Sequence, residues 1–493
     1  MAEKAESAGA SRKNEQSGSL LDEIVGYTRL PREDEGYDIA RRGVEILLKE
    51  IFDKDHQEQE EVRVDKKLVD ELIRELDERL SRQIDAIIHH EKFQALERPW
   101  RSLRMLLDRT DFKENMKVEF INATEADLLE DFEDSAGVIE SGLYRQVYTE
   151  EFGQYGGEPV GVIVGNYEFS HQPRDVRLLG HMASLSAMTH APFIAGTSPG
   201  MFGLQDFSDL GQLKNLEAVF DGPQYAKWRG FRESEDSRNV GLVAPRFMLR
   251  PTYGENLAVR SFDYVERVDN KEEYLWGNAA FAYATRLTES FAKYRWCPNI
   301  IGPQSGGEVS DMPIDVREEG GETTIVGPTE TPISDRKEYE LSNLGFIPFT
   351  LRKDSDKAVF FSSSSCQKPK KFSNDDEGRQ AELNYRLGTQ LPYLFIVSRL
   401  SHYIKVIQRE NLGSWKNRSD LELELNKWIR QYVADQENPS PTTRSLRPLR
   451  KASVTVSEVG NDVGWYNVGL EVTPHFKFMG ANFTLSLSGL LER

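Results

Sequence analysis

The segment Gly-Thr-Ser-Pro-Gly at 196–200 has the spacing of a serine hydrolase nucleophile turn. In that turn the residue after the serine donates its backbone N–H to the oxyanion. Here that residue is Pro199, which has no backbone N–H. His402 and His475 are the candidate bases downstream, and nothing else in the sequence supports a triad. We therefore predict a simple turn here, and a serine hydrolase using Ser198 is the alternative.

The adjacent histidines His89 and His90, followed by Glu91, resemble part of a zinc protease helix. That chemistry needs two histidines four residues apart on one helix face, whereas adjacent helical residues point about 100° apart. The acidic run from Glu125 to Asp134 is a second candidate for metal binding. A solvated helix face, or a contact for a basic protein, explains such a run more simply. The sequence therefore predicts no metal site.

Other chemistry is limited by what the composition offers. Cys297 and Cys366 are the only cysteines, too few for a disulfide framework or a cysteine zinc site. No phosphate-binding glycine motif is present in the sequence. The formal charge of −19 disfavours nucleic acid as a partner, and the basic segment at 444–451 is more simply a linker or a salt-bridging patch. We predict no catalytic residues, no cofactor and no nucleic acid partner.

The length of 493 residues fits two to four domains, and 38% hydrophobic with 29% charged residues fits a chain with a real core. No stretch has the 18 or more uncharged apolar residues of a membrane span, and the polar N-terminus lacks the apolar core of a secretory signal. We expect a reduced, cytoplasmic protein with no membrane insertion.

Residues 1–18 are small and polar, and they predict a disordered tail. A short helix over 19–31 follows, with Ser19 as its cap and Pro31 at its end. Its apolar face and polar rim are Leu20, Leu21, Asp22, Glu23, Ile24, Val25 and Thr28. So short a helix is marginal alone. It either packs on its own domain or docks in the groove of a partner, and the pattern does not decide between them.

Two longer apolar stripes, Ile39 to Phe52 and Leu68 to Ile88, predict a helical N-terminal arm over 32–115. An α/β domain is predicted over 116–375. Its expected elements are a strand at 117–123, an acidic helix at 124–134, a strand–helix–strand unit at 159–196, an aromatic-rich helix at 272–296, a β-rich insertion near 303–345, and strands at 345–351 and 357–364. The strand–helix–strand unit favours a parallel pair with a right-handed crossover.

Residues 376–493 predict long helices near 378–412 and 419–436 and a terminal β meander that alternates with period two. The fold class is therefore mixed α/β, or α+β. A meander at a chain end offers edges for strand exchange between subunits, and the alternative is an edge covered within the chain. The candidate exchange residues are Val468, Leu470, Val472, Phe483, Leu485 and Leu487.

Several blocks together resemble the large sheath subunits of type VI secretion systems (the TssC/VipB family). They are LLDEIVGYTRL, GYDIARRGVEILLKEI, IDAIIHHEKFQALERPWRSLRMLL, APFIAGTSPGMFGL, KWRGFRESEDSRNVGLVAPRFMLRPTYG, YLWGNAAFAYATRLTESFAKYRWCPNI and LNKWIRQYV. Their collinear order runs from about residue 19 to the C-terminus. Glu91 and Pro99 depart from the pattern of the family, without bearing on function.

The resemblance implies a structural protein that is not an enzyme. Members pair obligatorily with a small sheath subunit (TssB, or VipA) and polymerise as a contractile helix around a tube of Hcp rings. They meet a baseplate and resemble a phage tail, so another phage-tail-like injection system is an alternative setting. The AAA+ ATPase ClpV recycles the sheath by gripping an N-terminal helix, which corresponds to 19–31 here. The resemblance also gives the C-terminal region at 376–493 its role in packing with the small subunit and in strand exchange with neighbours.

Overall fold

A computed structural model gives the fold of the chain. It describes residues 35–53, 66–254, 257–259, 262–319, 322–373, 375–411, 417–436, 439–458, 466–475 and 485–491. The predicted tail at 1–18 and docking helix at 19–31 lie outside the described residues. The chain divides into two compact units, one of residues 1–87 and 253–266 and the other of residues 88–252 and 267–493.

The smaller unit contains helix α1 (Glu35–Asp53) and helix α2 (Lys66–Ile88), which confirms the two helices predicted from the apolar stripes. The hydroxyl of Tyr264 donates to the carboxylate of Asp85 on α2 at 2.7 Å. This bond ties the segment 253–266 to the helix. Several large apolar side chains of α1 and α2 are exposed, namely Ile39, Ile46, Ile73, Leu76, Leu80 and Ile87.

The larger unit holds most of the helices. They are α3 (Glu91–Asp108), α4 (Glu125–Asp134), α5 (Gly142–Tyr144), α6 (Pro173–Thr189), α7 (Leu216–Phe220), α8 (Ala226–Glu233), α9 (Ala279–Tyr294), α10 (Asp335–Asn343), α11 (Asp376–Gly388), α12 (Leu391–Glu410), α13 (Arg418–Ile429) and α14 (Pro441–Leu446). The predicted acidic helix is α4. A capping box between Thr124 and Asp127 satisfies backbone N–H groups at its N-terminus.

The described residues of the larger unit also form four sheets. Their strands are β1 (Ile163–Phe169), β2 (Phe193–Thr197), β3 (Val240–Ala244), β4 (Phe247–Met248), β5 (Trp276–Gly277), β6 (Glu308–Val309), β7 (Asp315–Glu319), β8 (Glu322–Val326), β9 (Phe346–Leu351), β10 (Ala358–Phe360), β11 (Leu449–Glu458), β12 (Tyr466–Pro474) and β13 (Leu485–Leu491). The sheet orders are β1-β2-β3-β9-β10-β6, β11-β12-β13, β4-β5 and β7-β8.

The six-stranded sheet is built around four parallel strands, β1, β2, β3 and β9. The pair β1 and β2 with helix α6 between them confirms the predicted strand–helix–strand unit. Phe193 and Ala195 of β2 belong to one buried cluster, and Ile194 between them belongs to another. Both faces of the sheet are therefore covered, as is usual for parallel strands.

Three local predictions were wrong. Residues 117–123 form no strand, because the segment is an extended loop without ladder partners. The aromatic-rich helix begins at Ala279 and not at 272, since Asn278 caps it and Trp276 pairs in β5. The long helix near 378–412 is two helices, interrupted at Thr389 and Gln390, where Pro392 starts the second one.

Candidate assembly interface

The C-terminal sheet places the predicted exchange residues, and it confirms the predicted antiparallel meander. β12 is its central strand, and the side chains of Val468, Leu470 and Val472 are buried there. They share a cluster with Leu400 of α12 and Leu425 of α13. Alternate residues of β12 therefore face the two helices, as the period-two pattern requires.

β13 lies beside β12 with Leu485 opposite Val472 and Leu487 opposite Leu470. Only the backbone of β13 is described, and Phe483 lies outside the described residues. Every residue of the predicted docking face at 20–28 also lies outside the described residues. Two of the exchange residues thus sit in one antiparallel register against the buried residues of β12.

Aromatic side chains fasten the two helices beneath the sheet. Trp428 of α13 lies edge-on to Tyr403 of α12 and to Tyr432, with ring centroids 6.0 and 5.5 Å apart. The guanidinium of Arg399 lies 4.7 Å from the centroid of the Tyr403 ring. Such contacts each add a fraction of a kcal/mol to about 1.5 kcal/mol beyond the area they bury. The meander therefore rests on a well-packed helical base.

The outer edge of β11 is occupied by side chains of α13. The Val454 amide donates to Oδ1 of Asn426 at 3.0 Å, and Nδ2 of Asn426 donates to the Val454 carbonyl at 2.6 Å. The Val456 amide donates to a carboxylate oxygen of Glu422, and Arg418 donates to the Val456 carbonyl, both at 3.2 Å. No pattern in the sequence had singled out these residues as functional. Arg418, Glu422 and Asn426 are four residues apart, so the sequence alone indicates that they share one face of the helix.

Helix α3 presents a second feature suited to assembly. Phe93, Leu96, Trp100 and Leu107 are exposed, while the opposite face, with Leu106, packs in a buried cluster. Their spacing follows the three-and-four pattern by which one helix packs along another. Leu96 and Trp100 are about 60% exposed (62% and 60%), unusual for side chains of this size.

The serine segment forms the predicted turn. Ser198 caps a short 3₁₀ turn at Pro199–Phe202, and its hydroxyl oxygen accepts the Gly200 amide. His402 is buried elsewhere and bonds the Thr189 carbonyl through Nε2 at 2.9 Å. Burial lowers the pKa of His402 to about 4. The structure thus gives both Ser198 and His402 other local partners.

His171, which the sequence analysis did not single out, bonds the Gly200 carbonyl through Nδ1 at 2.8 Å. His475 donates its backbone amide to the Pro448 carbonyl beside the C-terminal sheet. Ser198, His402 and His475 are therefore held in three separate structural roles.

The candidate metal residues serve as helix caps and ion pairs. His90 accepts the Lys92 amide at the start of α3. The carboxylate of Asp131 accepts the Gly142 and Leu143 amides at 2.8 and 3.1 Å, and Glu133 pairs with Arg177. Within the described ranges, no group of three or more His, Cys, Asp or Glu side chains is arranged to hold a metal ion. In the same part of the chain, no helix has the length and apolar character to cross a membrane.

A polar cavity of about 410 Å³ has Asp206, Lys271 and Glu330 in its wall. Nε of Arg246 and the carboxylate of Glu330 form a buried pair at 2.7 Å. The second oxygen of Glu330 accepts from Nη2 of Arg246 and from the Phe207 amide. The buried carboxylate of Glu330 is therefore neutralised by the guanidinium of Arg246.

Two sequence profiles of known families match the chain. Residues 70–367 match VipB, described as the EvpB/VC_A0108 tail sheath N-terminal domain. Residues 380–491 match VipB_2, described as the EvpB/VC_A0108 tail sheath gpW/gp25-like domain. This chain belongs to the VipB tail sheath family. Both matched models are described as domains of tail sheath proteins, which makes the family a structural one.

A relative of this sheath chain is the type VI secretion system sheath protein TssC1 of Pseudomonas aeruginosa. The two are 37% identical over 457 residues, which cover 91% of each chain. Among solved structures, a chain of the anti-feeding prophage baseplate gives a TM-score of 0.34 at 10% identity and covers 70% of this chain and 74% of that one. The contracted helical sheath of the anti-feeding prophage gives 0.28 at 11% identity and covers 58% and 57%.

Proposed function

We propose that this sheath chain pairs with a small sheath subunit of the TssB/VipA type and polymerises around a tube of Hcp rings. Contraction of the polymer then propels the tube from the cytoplasm. The observation that carries the proposal is the 37% identity to a type VI sheath protein across 91% of both chains. The two family models extend the match over the parallel sheet and, at residues 380–491, over the C-terminal meander.

The C-terminal meander supports strand exchange as the link between neighbouring protomers. β13 ends the described chain and pairs with β12 through its backbone. A strand from a neighbour in the same register would make the same ladder, because main-chain hydrogen bonds are independent of the chain that supplies them. Val468, Leu470 and Val472 then form the buried floor, and Phe483, Leu485 and Leu487 belong to the donated strand.

The exposed apolar face of α3 supports an obligate partner. Leu96 and Trp100 leave a large apolar area in water, and covering it gains roughly 25 cal/mol for each Å² buried. The three-and-four spacing favours a helix of the small sheath subunit as the cover. The exposed stripe on α1 and α2 points to further partner contacts of the arm.

Recycling by a ClpV-type ATPase and attachment to a baseplate complete the proposal. The docking helix at 19–31 would present Leu20, Leu21, Ile24 and Val25 to the ATPase. An amphipathic helix that carries four apolar side chains on one face fits a groove-docking peptide. The proposal for this helix rests on its sequence and on the family alone.

The test is co-expression of this chain with the small sheath subunit of the same system, followed by negative-stain microscopy of the purified complex. Long hollow helical tubes are the expected result. Ser198→Ala, which removes only a turn cap, is expected to give the same tubes. Discrete particles without a stable partner complex would contradict the sheath proposal. A loss of tubes only in the Ser198 variant would favour a role for that hydroxyl.

A further inference from the structure

The edge of β11 is matched by a ladder of three α13 side chains, Arg418, Glu422 and Asn426. Residues on one side of a strand repeat every two positions, about 6.8 Å. Residues four apart on a helix repeat about every 6 Å. The two periods are close enough for successive ladder residues to meet Val454 and Val456 in turn. The ladder therefore copies the hydrogen bonding of a neighbouring strand without being one.

The chain also covers the beginning of β11. The Ala434 amide donates to the Leu449 carbonyl at 2.9 Å, and Val433 bridges Leu449 in parallel. The ladder continues this cover at Val454 and Val456. On the side of β12 that faces away from β11, the described residues supply β13 as the neighbouring strand. The backbone groups at the outer edge of β11 thus bond to side chains and a loop of the same chain, whereas β12 bonds to a strand on its other side.

We propose that Arg418, Glu422 and Asn426 close β11 against strand addition and so confine strand exchange to the β12–β13 side. This inference rests on the strand exchange proposed above and names its direction. An open strand edge pairs with any strand that reaches it. A sheath protomer with two open edges would join its neighbours in two ways, whereas one closed edge leaves a single way.

The first experiment measures amide hydrogen exchange of the full chain, co-expressed and assembled with its small subunit. In the double variant Glu422→Ala with Asn426→Ala, the amides of Val454 and Val456 lose their acceptors, and the Val454 carbonyl loses its donor. Hydrogen exchange over 452–458 is expected to become on the order of tenfold faster, because these amides lose the hydrogen bonds that protect them. Exchange over 466–474 in β12 is expected to stay unchanged.

Two single variants serve as controls. Lys427→Ala alters an exposed residue next to the ladder and is expected to leave exchange over 452–458 as in the parent chain. Glu422→Gln keeps an acceptor oxygen for the Val456 amide and is expected to behave like the parent chain as well. Equal exchange in the double variant and in the parent chain would overturn the ladder.

The second experiment places a photo-reactive residue at Ser457 in β11 or at Ser488 in β13 and asks which position cross-links to another chain in assembled sheaths. We expect intermolecular products from 488 and none from 457. In the Glu422→Ala and Asn426→Ala background, 457 is expected to gain intermolecular products as the freed edge recruits a strand.

The outcomes separate the two proposals. Products from 457 in the parent sheath would overturn the closed edge while leaving strand exchange intact. No gain at 457 in the double variant would overturn the guarding role of the ladder. No product from 488 in the parent sheath would contradict strand exchange itself. The amide hydrogen exchange measurement would then be the test of whether the three side chains protect β11.

Discussion

At the scale of single residues, buried titratable groups carry the clearest consequences. His402 is 2% exposed and lies edge-on to the ring of Phe152, with centroids 5.2 Å apart. Its Nε2 bonds the Thr189 carbonyl, and its Nδ1 has no hydrogen-bond partner among the described residues. Charging this ring would bury a proton without an acceptor. The fold therefore holds the imidazole neutral.

This burial makes stability depend on pH. Desolvation is the main cause that lowers the pKa of His402 to about 4, and the neighbouring His190 and Arg399 lower it further. Because the unfolded chain takes up the proton near pH 6.5 and the folded chain does not, stability falls as pH drops from about 6.5 to about 4. The full loss from this one group is about 3 kcal/mol.

The measurement is the midpoint of denaturant unfolding from pH 7.5 to 4.5 for the parent chain and for His402→Gln. Glutamine keeps an N–H for the Thr189 carbonyl and does not titrate. We expect the parent to lose more stability than the variant across this range. Parallel pH curves for the two proteins would rule out His402 as the cause.

At the scale of elements, side chains far apart in sequence decide where strands and helices begin. The period-two pattern of the C-terminal strands predicted their existence because each has one buried face. The ladder of α13 on β11 was not predictable from that pattern, since it depends on where Asn426 meets Val454 in space. Residues 117–123 show the converse. Their alternation was strand-like, but the fold supplies no neighbouring strand.

The β7–β8 hairpin is fastened at its base by Asp315, which is 2% exposed. Its carboxylate accepts the hydroxyls of Thr252 and Tyr274 at 2.6 and 2.7 Å. Asp315→Ala would remove the buried acceptor that both hydroxyls share, at a cost of roughly 2–5 kcal/mol. We expect faster hydrogen exchange over 315–326 and a lower unfolding midpoint.

Asp315→Asn is the matched control for this prediction, because the amide keeps an acceptor oxygen at nearly the same volume. It should cost less than the alanine variant. Combining Asp315→Ala with Tyr274→Phe also removes one of the two hydroxyls that bonded to the carboxylate. The losses of stability from the two single variants should therefore not add. Additive losses would show that the carboxylate and the phenol stabilise the hairpin independently.

At the scale of the whole molecule, the described residues leave many large apolar side chains in contact with water. In the larger unit, buried clusters cover both faces of the parallel sheet. Among the exposed large apolar side chains are those on α1 and α2 of the smaller unit and on α3 of the larger one. The sequence predicted the stripes of α1 and α2, not that of α3, and could not say which apolar residues would meet the chain's own core. That depends on the tertiary packing, as Leu106 and Leu107 of α3 show by pointing to opposite environments.

The last prediction separates building a sheath from recycling it. Deleting residues 1–31 removes the tail and the proposed docking helix, and every described helix and strand lies beyond it. We expect the truncated chain to form tubes with its small subunit as the full chain does. Pelleting with a ClpV-type ATPase should retain the enzyme on full-length contracted sheaths and lose it on truncated ones.

The double variant Leu21→Asp with Ile24→Asp should mimic the deletion because it puts charge on the apolar face. Asp22→Ala, on the polar rim, should bind like the parent. Equal ATPase retention by truncated and full-length sheaths would place the docking site elsewhere, and failure of the truncated chain to assemble would instead make 1–31 part of the sheath wall.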